Sequence, residues 1–395
     1  MIVFGEHDQN TLDQMANVQQ TCERAALMAD GHLGYTMPIG GVAAYKQQIS
    51  VVGVGFDIAC GNCAIKTDLH TDGDGGGSYW DEIADEIFDA FSFGVGGENK
   101  HPKAPREHSL FTADSWSLIP EKHRPSLWGK ARQQLGTIGS GNHYIDVFED
   151  EEGWVWVGVH FGSRGFGHKI ASAFLAMGQG LPWDGRGKEQ ENLLHLDNPI
   201  GHDYWHLMEL AGCYAYAGRN WAAETVVDLL GGRAVDIVHN NHNFAWKENH
   251  FGTNYVVVRK GATPAWPGQR GFIGGSMGDD AVIVQGATGL QDQELFQQKS
   301  ALYSTVHGAG RVMSRTEAKG KWRKGEQRTR GRVTHGEMTS WLNERGVILR
   351  GGDLDEAPQA YRRLPDVLSA QGSTIEVLHT LTPKVVCMAQ RRGRR

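Results

Sequence analysis

The chain is poor in cysteine, has no long apolar run, and carries a deficit of positive charge. Its five cysteines (Cys22, Cys60, Cys63, Cys213 and Cys387) are irregularly spaced in 395 residues. An odd, scattered set argues against a disulfide framework and for reduced thiols in a cytoplasm. No run approaches the roughly 18 apolar residues that a membrane helix needs, and the apolar stretch near Met1 is too short for a secretory signal. A cytoplasmic protein without membrane contact is therefore expected. No Gly-x-x-x-x-Gly-Lys-Ser/Thr stretch occurs, which excludes a P-loop nucleotide site. The Gly/Asp-rich stretch from Asp72 has Ile83 where a calcium loop needs a bidentate Glu, which excludes that reading. No Pro/Ser-rich linker divides the chain. One α+β domain of mixed helices and strands is expected over residues 1–395, with a basic tail at 388–395.

What the chain has in excess is glycine, 53 residues, about twice the usual ~7%. These glycines gather around polar side chains, as in a protein built of functional loops. Residues 10–28 carry an apolar face at helical spacing and read as a helix. Residues 48–59 read as a buried strand that ends in Asp57 and Cys60. Trp80, Ile83, Ala84, Ile87, Phe88 and Phe91 recur at helical spacing with acids opposite. Residues 154–159 read as a strand that delivers His160, and residues 204–230 as largely helical. Strands are expected at 255–258 and 281–284, and one or two more at 376–388.

Five glycine- or asparagine-rich segments carry the chemistry: residues 55–61, 139–143, 160–165, 242–243 and 307–311. They contain Asp57, Cys60, His143, His160, His242 and His307. Carboxylate, thiolate and imidazole together suit Mn, Zn, Fe or Co, and ligand type alone does not choose among them. A single histidine is more often a core or surface residue. Three in similar settings, beside Asp57 and Cys60, shift that balance. His239 competes with His242 as a ligand. Cys60 and Cys63 form a lone CxxC; a zinc ribbon needs a second pair, so Cys63 reads as a small core residue. His307 lies in His-Gly-Ala-Gly-Arg. There, paired glycines open a backbone cradle for phosphate, and Arg311 and Arg315 supply charge. A histidine so placed is a ligand, a base or a nucleophile on phosphorus. Ser163 and Arg164 read as a second phosphate clamp.

Taken in order, these segments resemble the RtcB family of RNA-splicing ligases. The resemblance runs from about Asp30 to Cys387. It also includes the stretches 30–34, 38–43, 135–143, 259–262, 275–278, 307–315 and 360–361. The family joins an RNA 3′-phosphate, or 2′,3′-cyclic phosphate, to a 5′-hydroxyl, using GTP and Mn²⁺. The resemblance implies that Asp57, Cys60, His143, His160 and His242 hold two Mn²⁺ ions bridged by Cys60. It implies that His307 is guanylylated. It also implies that Asn142, Tyr144, Asp146, Asn243, Gln269, Ser276, Gly308, Ala309, Gly310 and Tyr361 surround the guanylate, and that Arg164, Arg311 and Arg315 meet RNA phosphate. Four departures stand out. Ala389 replaces the lysine of a terminal Val-Lys-Gly, Asp146 replaces Glu, Gly274 replaces Pro, and Ala59 replaces the Gly of Asp-Ile-Gly-Cys-Gly.

The partner expected is RNA, tRNA or cleaved RNA ends. The net charge of −7 alone argues against a polyanion. However, residues 311–332 hold nine Lys/Arg against Glu317 and Glu326, and the tail ends Arg-Arg-Gly-Arg-Arg. A basic stretch on an acidic chain reads as an RNA footprint or as a solvated face. Two other functions stay open: a metal-dependent RNA end-processing phosphodiesterase, and an RNA-binding protein with a structural metal.

Overall fold

A computed structural model describes residues 1–73, 77–323 and 326–390. The basic tail, Arg391 to Arg395, and part of the loop from Asp72 lie outside the described residues. The architecture is α+β, as expected. Five strands form one sheet, in the order Ile2–Val3, Arg24–His32, Ile39–Tyr45, Thr253–Lys260, Asn243–His250. A second sheet has eight strands. Its path runs Arg270–Ile273, Ala281–Gly286, Ile375–Met388, Tyr144–Asp150, Trp154–Phe161, Gly61–His70, Ala234–Asn241, and Ile348–Arg350 joins Ile375–Met388 in parallel. The two ends of that path meet. Asn240 Oδ1 accepts from Phe272 N at 2.9 Å, and Asn62 Nδ2 donates to Phe272 O at 2.7 Å. The sheet thus curls almost shut, which hides its edges from other chains.

The helix Pro199–Leu230 packs across this sheet and starts on a proline, whose missing N–H costs nothing in a first turn. It stops at Gly231, φ 72°, the left-handed cap that glycine accepts. Gly77–Ala90 is the helix expected from the Trp80 to Phe91 spacing.

Two expectations need correction. The helix expected at 10–28 ends at Gln19, and Arg24–His32 is a strand. Ala25, Ala26, Leu27 and Met28 are buried on both faces of the sheet, so the apolar spacing there is that of a fully buried strand. Residues 48–59 are not one strand. Gln48–Ser50 is a strand, and Ser50 Oγ then accepts from Gly53 N at 2.9 Å, starting the short helix Val51–Val54. A short buried apolar run does not by itself distinguish strand from helix; the Ser50 cap decided it.

Candidate metal centre and phosphate pocket

Asp57 and Cys60 sit on a tight turn, Cys60 N donating to Asp57 O at 3.0 Å. The turn is stitched to the strands around Asn241–Asn243: Ala59 N donates to Asn243 O at 2.7 Å and His242 N to Cys60 O at 2.9 Å. Ala59 carries φ 56°. The position therefore favours glycine, and alanine holds it under strain. Behind the turn lies Arg219, wholly buried, donating to Ala59 O at 2.8 Å and Phe161 O at 2.6 Å.

Hydrogen bonds fix the imidazole tautomers. His143 Nδ1 donates to Ile138 O at 2.9 Å, so its Nε2 lone pair faces Asp57 Oδ2 at 3.0 Å and Cys60 Sγ at 3.6 Å. His160 Nδ1 donates to Asn62 Oδ1 at 2.6 Å, so its Nε2 also faces Cys60 Sγ, at 3.6 Å. His242 stacks on His160, ring centres 5.1 Å apart, and its buried Nδ1 has no partner. Lone pairs of nitrogen, oxygen and sulfur thus converge without enough protons to separate them, the donor set of a transition-metal site. Burial opposes ionisation of Asp57, but the His143 bond and the nearby Arg164 hold its carboxyl well below the usual range. Burial, then Asp57, pushes the Cys60 thiol up, and a bound cation reverses that balance. Among the described residues, Cys60, His143 and His160 form the group whose ligand atoms lie within 4.8 Å of one another. Asp57 and His242 flank it.

A cavity of about 930 Å³ opens over this cluster, near the upper end of the ~300–1,000 Å³ typical of small-molecule sites. His307 enters at the end of strand Ser304–Val306, its ring 4.9 Å from that of His242. Asp30 holds it. One oxygen, Oδ2, accepts from His307 Nδ1 at 2.6 Å, His307 N at 2.9 Å and Gly308 N at 3.2 Å. With Nδ1 so engaged, Nε2 keeps the free lone pair. Asp30 is fully buried; burial opposes its charge, but His307 holds its pKa below the ordinary value.

Asn142, Tyr144, Asp146, Asn243, Ser276, Gly308, Ala309, Gly310 and Tyr361 all line the cavity. Asp146 is buried, its Oδ1 has no partner, and burial pushes its pKa well up. Tyr144 stacks on His160, and its hydroxyl is also unpartnered. A Cβ at residue 274 would lie 2.4 Å from that hydroxyl, so Gly274 and Tyr144 fit only together. Val386 and Met388 complete the floor; Ala389 follows the strand end.

Other expected residues fall elsewhere. Gln269 is outside the cavity, its Oε1 accepting from Trp266 N in its own turn. Ser163 is no phosphate clamp: it is buried and donates to Ile58 O at 2.6 Å. Arg164 lies behind the cluster, 3.3 Å from His143 Nδ1, and does not line the cavity. Arg311 lines it, but its donors are taken by Tyr361 Oη at 2.7 Å, Asp355 O at 2.6 Å and Glu356 at 3.2 Å. It also orients Tyr361. Arg315 pairs with Asp355 and Glu356 but keeps 44% of its side chain exposed. His239 stacks on Tyr216 away from the cluster, which leaves His242 as the ligand candidate. Cys63 is a core residue, as expected.

Three contributors carried no expected role. Asp30 stood in a quoted glycine motif, and its acid type was the only signal. Arg219 gave none, since it sits inside a helical run. Lys260 lines the cavity, donates to Val52 O at 2.6 Å, and burial lowers its pKa to about 8.

A cluster of metal-ligand type thus lies beside His307, whose Nδ1 is held by Asp30, at one cavity. The profile of the family described as tRNA-splicing ligase RtcB matches residues 11–389. The RNA-splicing ligase RtcB of Escherichia coli K12 is 33% identical over 92% of this chain and 89% of its own length. The tRNA-splicing ligases RtcB of Thermococcus kodakarensis and Archaeoglobus fulgidus are each 30% identical, over 91% of this chain and 86% and 87% of theirs. The chain belongs to the RtcB family, and is thereby an RNA ligase of RNA splicing or repair. No described helix is long and apolar enough to cross a membrane.

Proposed function

We propose that this chain, as a single catalytic domain, joins an RNA 3′-phosphate or 2′,3′-cyclic phosphate to a 5′-hydroxyl through a guanylylated His307. The observation that carries this reading is the Asp30 clamp. A carboxylate on Nδ1 selects the ring tautomer whose Nε2 lone pair faces the cavity, as a nitrogen nucleophile requires. A structural metal site has no need of such a group.

Asp57, Cys60, His143, His160 and His242 would hold two Mn²⁺-class ions, Cys60 lying between the His143 and His160 imidazoles. Bound ions would neutralise the triphosphate and the departing pyrophosphate. His307 Nε2 attacks the α-phosphorus of GTP; the P–N bond forms and the bond to pyrophosphate breaks. Asp30 keeps the Nδ1 proton and balances the ring's positive charge. A 2′,3′-cyclic end is first opened by water, the P–O2′ bond breaking to leave a 3′-phosphate; that phosphate oxygen then takes the guanylate, the P–N bond breaks, and His307 returns to its neutral tautomer. The 5′-hydroxyl oxygen finally attacks the activated phosphate, the P–O bond to GMP breaks, and the hydroxyl proton passes to solvent. Positioning and charge neutralisation dominate such steps. Asp146 lines the same cavity with Oδ1 unpartnered, an acceptor for a guanine N–H, but its side chain is one carbon shorter than the family's Glu, so its reach to the base is reduced.

Incubation with GTP and Mn²⁺, then peptide mass spectrometry, tests this reading. A guanylate adduct on His307 is expected, lost in His307→Ala with bound metal retained. An adduct on another residue would remove His307 from the mechanism. The absence of any adduct, with any nucleotide, would favour the end-processing reading, to which Ala389 and the short acid Asp146 already point.

A further inference from the structure

Three exposed apolar side chains stand on the cavity lining. Leu33, Tyr35 and Val312 are 55%, 73% and 54% exposed, and all three line it. Tyr35 is the most exposed aromatic side chain on this rim. Among the described residues, its ring and hydroxyl have neither a hydrogen bond nor a ring partner.

The loop beneath it is anchored to the first helix. Gln14 Nε2 donates to Gly34 O at 3.0 Å and to Tyr35 O at 2.5 Å, while Gln14 Oε1 accepts from Gly34 N at 3.0 Å. Gly34 passes so close to Met37 that a Cβ there would lie 2.2 Å from the Met37 carbonyl oxygen. The backbone is thus fixed on both sides of a ring left in water. The same chain segment ties this ring to the nucleophile, since Asp30, which holds His307, lies five residues earlier.

We propose that Tyr35 is a stacking platform for the unpaired 3′-terminal base of the RNA. This rests on the ligase reading above. An RNA phosphate that reaches His307 leaves its own nucleoside at the cavity mouth. An unpaired base offers a flat apolar face and is bound by stacking on aromatic rings. Every base has such a face, so a tyrosine platform accepts RNA ends regardless of the terminal base. Leu33 and Val312 provide the apolar border against which the edge of the base rests. Tyr35 is a positioning residue: it places the RNA end and touches no reacting atom.

The test is a double-mutant cycle on binding. A single-stranded 3′-phosphate RNA is titrated against wild type, Tyr35→Ala and Tyr35→Phe. The same RNA with an abasic 3′-terminal nucleotide is titrated alongside. Wild type should lose about tenfold in affinity on removal of the base, and Tyr35→Ala about tenfold on the intact RNA. The two losses should not multiply when combined, and Tyr35→Phe should keep most of the affinity. Losses that multiply, or a Tyr35→Ala variant that binds like wild type, overturn the proposal. The ligase reading is judged separately by the guanylate adduct in wild type: if that adduct is missing, the ligase reading fails whatever the cycle shows.

Discussion

Replacing Asp30 by Asn should slow guanylylation of His307 while leaving the metal centre filled. The carboxylate oxygen that accepts from His307 Nδ1 at 2.6 Å also accepts from the His307 and Gly308 amides. An asparagine carbonyl can take the same three donors, so the fold and the tautomer are kept. The change removes the negative charge. As Nε2 bonds to phosphorus, the ring becomes cationic, and two unit charges about 4 Å apart at an effective dielectric near 20 attract by about 4 kcal/mol. A transition state with about half of that charge developed captures about 2 kcal/mol, or roughly 30-fold in rate. Asp30→Ala should be worse and should also lower stability by about 3 kcal/mol, because three buried N–H groups lose their acceptor. The assay is the single-turnover rate of adduct formation by mass spectrometry, with metal content and the melting temperature measured in parallel. An Asn variant within threefold of the wild-type rate would refute the charge argument. Loss of metal in that variant would move Asp30 into the ligand set.

Cys60→Ala should empty most of the metal site, whereas Cys63→Ala should leave metal content unchanged and cost only about 1 kcal/mol of core packing; elemental analysis and melting decide both. Ala59→Gly should stabilise the chain by about 1 kcal/mol, because φ 56° strains alanine more than it costs glycine in unfolded entropy; a lower melting temperature would count against the strain. Asp146→Glu should raise the preference for GTP over ATP about tenfold, read as the ratio of the two adducts, if the longer acid reaches the guanine edge. RNA affinity should fall steeply with salt, and deletion of Arg391 to Arg395 should flatten the slope; a salt-independent affinity would return the basic segments to a solvated face.

Much of the site was legible because its residue types are rare in combination. Asp57, Cys60, His143, His160 and His242 each sit at or near a turn or strand end; the fold brings Cys60, His143 and His160 within 4.8 Å of one another, with Asp57 against His143 and His242 stacked on His160. The cavity likewise gathered nearly all the residues expected around a guanylate. Errors came where local chemistry was ambiguous. The fully buried strand at Arg24–His32 looked helical, since a strand buried on both faces shows no alternation. Ser163 carried a phosphate-binding side chain beside a glycine, yet it turned inward to Ile58 O, distant in sequence.

Taken alone, the sequence determined the class of fold, the chemical inventory and the family, because side-chain type and motif order are written along the chain. Only the tertiary structure decided what each group faces. It chose His242 over His239, turned Nε2 of His143 and His160 toward Cys60, and placed Asp30 beneath His307 across 277 positions. It left Asp146 Oδ1 without a partner in the cavity and Tyr35 exposed at its rim. The physical reason is that tautomer, charge state and exposure are set by neighbours within a few ångströms, and strand pairing brings those neighbours from segments far apart along the chain.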